Sequence, residues 1–170
     1  ERGLGCAEQY DVLDQIDFLV GTFGKALASV GGYIVCHEAI RNYLINFMRS
    51  LIFSTAQPPI SAAWTQFVFQ HMQSLSVERA HLARLSHDTR QNVQALGVDC
   101  PSTSQIVPVI LGEAKRANAV AEMLQNQGYY VLPVRPPTVP QNTARLRICL
   151  NQNVQQQHLV TLFEHLRQLL

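Results

Sequence analysis

The sequence predicts an α/β chain built from two unlike parts, and three observations carry that reading. Two short apolar runs near the start, Ile16 to Phe23 and Gly31 to Cys36, flank a small-residue loop and read as buried strands. Helical spacing of apolar residues then dominates from Pro59 to Leu96. After the polar turn Asp99-Cys100-Pro101-Ser102-Thr103-Ser104, the pattern becomes strand, helix, strand, strand, helix. That order suits a small sheet with helices on one face, an α+β layer.

Residues 6–16 read as a short helical or irregular lead-in. Beyond the two strand candidates, Ile40, Tyr43, Leu44 and Phe47 fall at i, i+3, i+4 and i+7, which predicts a helix over Asn42–Met48. Leu51 to Thr55 reads as a strand end, closed off by Pro58-Pro59. Pro59 suits the first turn of the next helix, whose apolar face is Ile60, Ala63, Trp64 and Phe67. Leu82, Leu85, Val93 and Leu96 continue the helical spacing, and Gly97 follows as a C-terminal cap. In the last part, Ile106–Leu111 reads as a strand and Glu113–Gln127 as a helix stopped by Gly128. Tyr129–Val134 and Arg145–Leu150 read as strands, the second alternating Leu146, Ile148 and Leu150 against Arg145, Arg147 and Cys149. Leu159, Leu162, Phe163, Leu166 and Leu170 stripe a terminal helix. The expected organisation is residues 1–58, connecting helices over 59–98, and a small α+β domain over 99–170.

Composition narrows the function. Hydrophobic residues at 47% against 15% charged supply a core, and a net charge of +1 makes no case for nucleic acid or an anionic membrane. No apolar run approaches the roughly 20 residues a membrane span needs. Cys6, Cys36, Cys100 and Cys149 are widely spaced and form no C-x-x-C pair. They read as reduced thiols of a cytoplasmic protein, with no metal site expected. Glu1 to Gly5 has no initiator Met and reads as the middle of a loop, so a longer polypeptide is expected.

Chemistry concentrates at three places. Lys25 is one of only two lysines and sits among Phe23, Leu27 and Val30 in a glycine-containing loop. An ammonium enclosed there loses solvation, which favours the nucleophilic amine that a carbonyl-trapping lysine needs. The bland alternative is a solvent-facing loop lysine, and the local pattern by itself favours it. Thr22 and Ser54-Thr55 place hydroxyls at the ends of apolar runs, where a phosphate can be held; turn-forming Ser and Thr are the ordinary alternative. Arg135, fixed by Pro136-Pro137, suits bidentate capture of a carboxylate, with a surface ion pair as the alternative. A solvated strand face accounts for Arg145 and Arg147.

These residues carry a resemblance. Val20-Gly21-Thr22-Phe23-Gly24-Lys25-Ala26-Leu27 with Gly31-Gly32, the run Tyr43 to Pro59, and Val134-Arg135-Pro136-Pro137-Thr138-Val139-Pro140 followed by Thr143 to Arg147 are similar to the α-oxoamine synthases. These are pyridoxal-phosphate enzymes of the aspartate aminotransferase fold, and the match runs along essentially the whole chain. The resemblance implies the end of an aminotransferase-type large domain plus the small C-terminal α+β domain. It implies pyridoxal 5'-phosphate as cofactor, with Lys25 carrying it covalently and moving the proton at the substrate α-carbon. Thr22 would contact the cofactor phosphate, and Thr55 with Ser54 would reach the phosphate in the neighbouring subunit of a homodimer. Arg135 would bind the amino-acid carboxylate, and Thr138 would line the substrate site.

The implied reaction joins L-alanine to pimeloyl-CoA, releasing CoA and carbon dioxide. A sister reaction uses glycine and a different acyl-CoA. The family's Asp-x-Ala-His run before the lysine strand has no counterpart here, because Asp11, Asp14 and Asp17 lack the following Ala-His. The chain is therefore expected to be the C-terminal portion of such an enzyme, inactive alone. A non-catalytic module that uses the same fold for dimer contacts is the alternative from another class.

Overall fold

The computed structural model describes residues 2–170, so of the loop expected over Glu1–Gly5, Glu1 lies outside the described residues. Contacts divide the chain at Ser76/Val77 into two compact units, within the helical stretch assigned from sequence to connection.

The first unit opens with α1 (Cys6–Gln9) and a 3-10 turn (Leu13–Gln15), followed by β1 (Phe18–Thr22) and β2 (Gly32–Cys36). The two strands pair antiparallel, with Phe18 opposite Cys36, Val20 opposite Ile34 and Thr22 opposite Gly32. Opposed residues share a face, so Phe18, Val20 and Ile34 lie on one side while Leu19, Tyr33 and Val35 lie on the other. Both faces are apolar, the signature of strands meant for burial on both sides.

α2 (Glu38–Phe47) begins four residues before the expected helix. Its cap is His37, whose Nδ1 accepts from the Ala39 N–H at 3.2 Å. Histidine stands outside the preferred Ser, Thr, Asp and Asn caps, so the start carried no usual signal. The strand end expected at Leu51–Thr55 is corrected: Arg49–Ile52 forms a single helical turn, α3, and the chain from Ser54 to Pro58 is irregular. The Ser54 hydroxyl donates to the Leu51 carbonyl at 3.0 Å and closes that turn locally. α4 (Pro59–Gln73) starts on Pro59 as the sequence requires, since the first helical position needs no N–H donor.

The second unit holds α5 (Ser76–Ala95) from its second residue on, β3 (Ile106–Gly112), α6 (Ala114–Asn126), β4 (Leu132–Val134), β5 (Ala144–Cys149) and α7 (Gln156–Leu169). Its sheet has the order β3-β5-β4, all neighbours antiparallel. The last strand therefore enters between the two that α6 connects, a split β-α-β arrangement. Val107, Val109, Leu146 and Ile148 share the face that joins Leu124, Phe163 and Leu166 in the core. Gly128, at φ 87°, ends α6 in a conformation open to glycine, and the Tyr129 N–H returns to the Leu124 carbonyl at 2.9 Å. The strand expected from Tyr129 shortens to Leu132–Val134 because this turn consumes the residues before it.

Candidate functional site

β1 and β2 exist to present a loop. Phe23 N–H donates to the Gly31 carbonyl and Ser29 N–H to the Phe23 carbonyl, both at 2.9 Å, so residues 23–31 form a closed turn at the hairpin tip. Thr22 ends β1, and Lys25 follows three residues on, inside that turn. Phe23 stacks on Tyr33 with ring centroids 5.3 Å apart, and Tyr33 lies across Gly21, where an added Cβ would meet the ring at 2.5 Å. Leu27 is buried at 8% exposure, yet Lys25 and Thr22 are exposed. The apolar enclosure expected around the lysine is thus not supplied by this chain: Leu27 turns inward while the ammonium faces outward.

Ser54 and Thr55 are both exposed, in the irregular segment after α3. Ser54 spends its proton on the Leu51 carbonyl, which leaves its oxygen free to accept. A cavity of about 600 Å³ in the same unit is bounded by Val20, Ile34, Cys36, Leu44, Met48 and Ser54, among others. Neither Lys25 nor Thr22 lines it.

In the second unit one turn brings Arg135 and Thr138 together, since Thr138 N–H donates to the Arg135 carbonyl at 3.0 Å. Both side chains are exposed. The sheet face opposite the core carries the two arginines that the sequence assigns to a solvated strand face, and here they line a cleft. Arg147 lies between Pro108 and Leu132 in the register, and Arg145 lies between Ile110 and Val134. Arg145, Arg147, Ser102 and Ser104 line a cleft of about 370 Å³ whose floor includes Pro108 and Val134. Arg145 is half-buried and donates through Nε to the Thr143 carbonyl at 2.9 Å, so its position is fixed. Two guanidinium groups above an apolar floor can hold an anion with a hydrocarbon part. The signal available in the sequence was only the strict alternation of β5, which a solvated face explains equally well.

The family follows from comparison. The model of aminotransferase class I and II matches residues 5–166, and the chain belongs to that family, whose members depend on pyridoxal phosphate. A Pasteurella multocida protein provisionally named 8-amino-7-oxononanoate synthase is 56% identical over 156 residues, covering 91% of this chain and 40% of that protein. The chain thus spans less than half the length of such relatives. The high-resolution structure of SPT with PLP internal aldimine superposes with a TM-score of 0.90 at 26% identity, over 99% of this chain and 43% of that one. The crystal structure of 8-amino-7-oxononanoate synthase from Francisella tularensis gives a TM-score of 0.79 at 26% identity, over 89% of this chain and 44% of that one. The fold is that of the pyridoxal-phosphate-dependent aminotransferases.

The donor set suits that cofactor in kind. Lys25 offers a solvent-facing primary amine for a carbonyl carbon, and no hydrogen bond or ion pair engages its ammonium among the described residues. Thr22 and Thr55 offer exposed hydroxyls for a phosphate.

Proposed function

We propose that this chain is the C-terminal portion of a pyridoxal-phosphate acyltransferase that condenses L-alanine with pimeloyl-CoA, releasing CoA and carbon dioxide to give 8-amino-7-oxononanoate for biotin synthesis. The observation that carries this reading is Lys25, an exposed amine on a closed hairpin loop, in a chain 56% identical over most of its length to a relative bearing that name. When bound, pyridoxal phosphate supplies an electron sink for the carbanion at the amino-acid α-carbon. Every other contribution belongs to the protein. Lys25 fixes the cofactor and then holds or moves the proton at the α-carbon. Thr22 donates its hydroxyl to the cofactor phosphate, and Thr55, with Ser54, serves the phosphate in the adjoining subunit of a homodimer. Arg135 pairs with the amino-acid carboxylate, and Thr138 lines the substrate site. The remaining polypeptide of the relatives is needed for activity, and the working location is the cytoplasm.

One observation favours a second candidate for the carboxylate. Arg147 lines the cleft over β5, and Arg135 is not among the residues that bound that cleft. Two other functions compete: a sister condensation of glycine with another acyl-CoA, and a non-catalytic module. Borohydride trapping of pyridoxal phosphate in the completed enzyme, followed by peptide mapping, tests the central assignment. Label on Lys25 is expected; label confined to Lys115, or none, would overturn it. Product analysis with alanine and glycine in the completed enzyme separates the two condensations.

A further inference from the structure

We propose that α4, together with Gln57 just before it, acts as a clamp on the Lys25 loop, with Trp64 as a positioning residue for the lysine; this rests on the reading of Lys25 as the cofactor lysine. Three successive residues just after Lys25 are held from one side. The indole Nε1 of Trp64 donates to the Ala28 carbonyl at 2.9 Å. The Ser29 and Thr65 hydroxyls lie 2.6 Å apart. Gln57 Nε2 donates to the Val30 carbonyl at 3.3 Å. Because Thr65 Oγ1 donates its single proton to the Ser61 carbonyl at 2.8 Å, the proton between the two hydroxyls comes from Ser29. Thr65 is thereby tied to the helix backbone, and Ser29 is tied to Thr65.

The loop needs such restraint. Ala28 sits at φ 46°, a left-handed conformation uncommon for a residue with a Cβ. Such a backbone persists where surrounding contacts over-determine it. Gly31, at φ 93°, leaves the space in which Gln57 lies; an added Cβ there would overlap the amide nitrogen of Gln57. Trp64 is 47% exposed, so burial alone does not account for a tryptophan at this position. Its N–H is its only polar group, and that group is committed to the loop. Lys25 is then bracketed by the paired strand β1 before it and the clamped residues 28–30 after it. Both a carbonyl carbon and an α-proton must be reached from the same amine. Displacements of about an ångström are costly to reactions of this kind.

Amide hydrogen exchange and lysine labelling on the completed enzyme, in which this chain is joined to the remaining polypeptide of its relatives, test the clamp. Trp64→Phe keeps an aromatic ring and removes the donor; Thr65→Val keeps the shape and removes the hydroxyl. Exchange at Phe23, Ala28 and Ser29 is expected to rise by about tenfold in Trp64→Phe, the scale of one lost hydrogen bond, with α4 and residues 77–170 unchanged. A smaller rise is expected in Thr65→Val. Labelling by pyridoxal phosphate and borohydride, read as the ratio of Lys25 to Lys115, is expected to fall severalfold in Trp64→Phe. Unchanged loop exchange in both variants, or acceleration that spreads along α4, overturns the clamp. A loosened loop with an unchanged labelling ratio overturns the positioning role. A loosened loop in a protein whose wild-type form shows no preference for Lys25 supports the clamp and overturns the cofactor-lysine reading alone.

Discussion

Single side chains decide local order in both units, and two of them give direct tests. The Glu8 carboxylate accepts from the Leu4 N–H at 3.0 Å and from Arg2 Nε at 2.9 Å. The Leu4 amide, and then the Arg2 side chain, hold its pKa down at about 2 against an ordinary 4.5. A lowered folded-state value means the interaction is fully present above the ordinary value and is lost as pH falls through about 2. An NMR titration of Glu8 should therefore show a midpoint near 2, with the 2–8 turn loosening only in strong acid. A midpoint near 4.5 would remove the Leu4 and Arg2 contacts from the account. At the other end, Arg135→Ala in the completed enzyme should weaken amino-acid binding by about 2–5 kcal/mol if that arginine alone faces a buried carboxylate. Affinity unchanged in Arg135→Ala but lost in Arg147→Ala would transfer the role to the β5 cleft.

At the scale of elements, the β1–β2 hairpin is the least self-sufficient piece. Phe18, Val20 and Val35 are 53%, 66% and 55% exposed, on two different faces. A two-stranded hairpin is marginal in water, and this one leaves apolar side chains exposed on both faces and both its edges open among the described residues. Helices α2 and α4 repeat the pattern, with Tyr43, Phe47, Trp64 and Phe67 all exposed. We expect amide exchange at β1 and β2 to be far faster than at β3 and β5 when this chain is studied alone. Equal protection in the four strands would show that the hairpin needs no further layer. The strands themselves were legible in the sequence, because near-continuous apolar runs bounded by glycine have few other uses. The start of α2 was not, since a histidine cap looks like any other polar residue. The false strand end at Leu51–Thr55 failed for a related reason: apolar composition permits a strand, but among the described residues no strand pairs with this segment.

For the molecule as a whole, the two units differ in what they bury. Among the described residues, the first buries only Ala7 and Leu27 of its hydrophobic side chains, whereas Leu124, Leu146 and Leu166 of the second are wholly enclosed. Leu146, on the central strand, should be the most sensitive position: Leu146→Ala is expected to cost about 2–5 kcal/mol, read by urea unfolding of the second unit followed by circular dichroism. A cost below about 1 kcal/mol would mean the sheet repacks around the loss. The sequence by itself determined the type of most segments, though not of Leu51–Thr55, as well as which face of β5 enters the core and which lysine stands apart. These follow from periodicity and from the short-range stereochemistry of glycine and proline, both of which are written within a few residues. Only the tertiary structure decided that β5 enters between β3 and β4, that Arg145 and Arg147 line a cleft, and that Trp64 reaches a carbonyl 36 residues earlier. Such pairings are fixed by which surfaces meet once the chain has collapsed, and no local pattern encodes the partner.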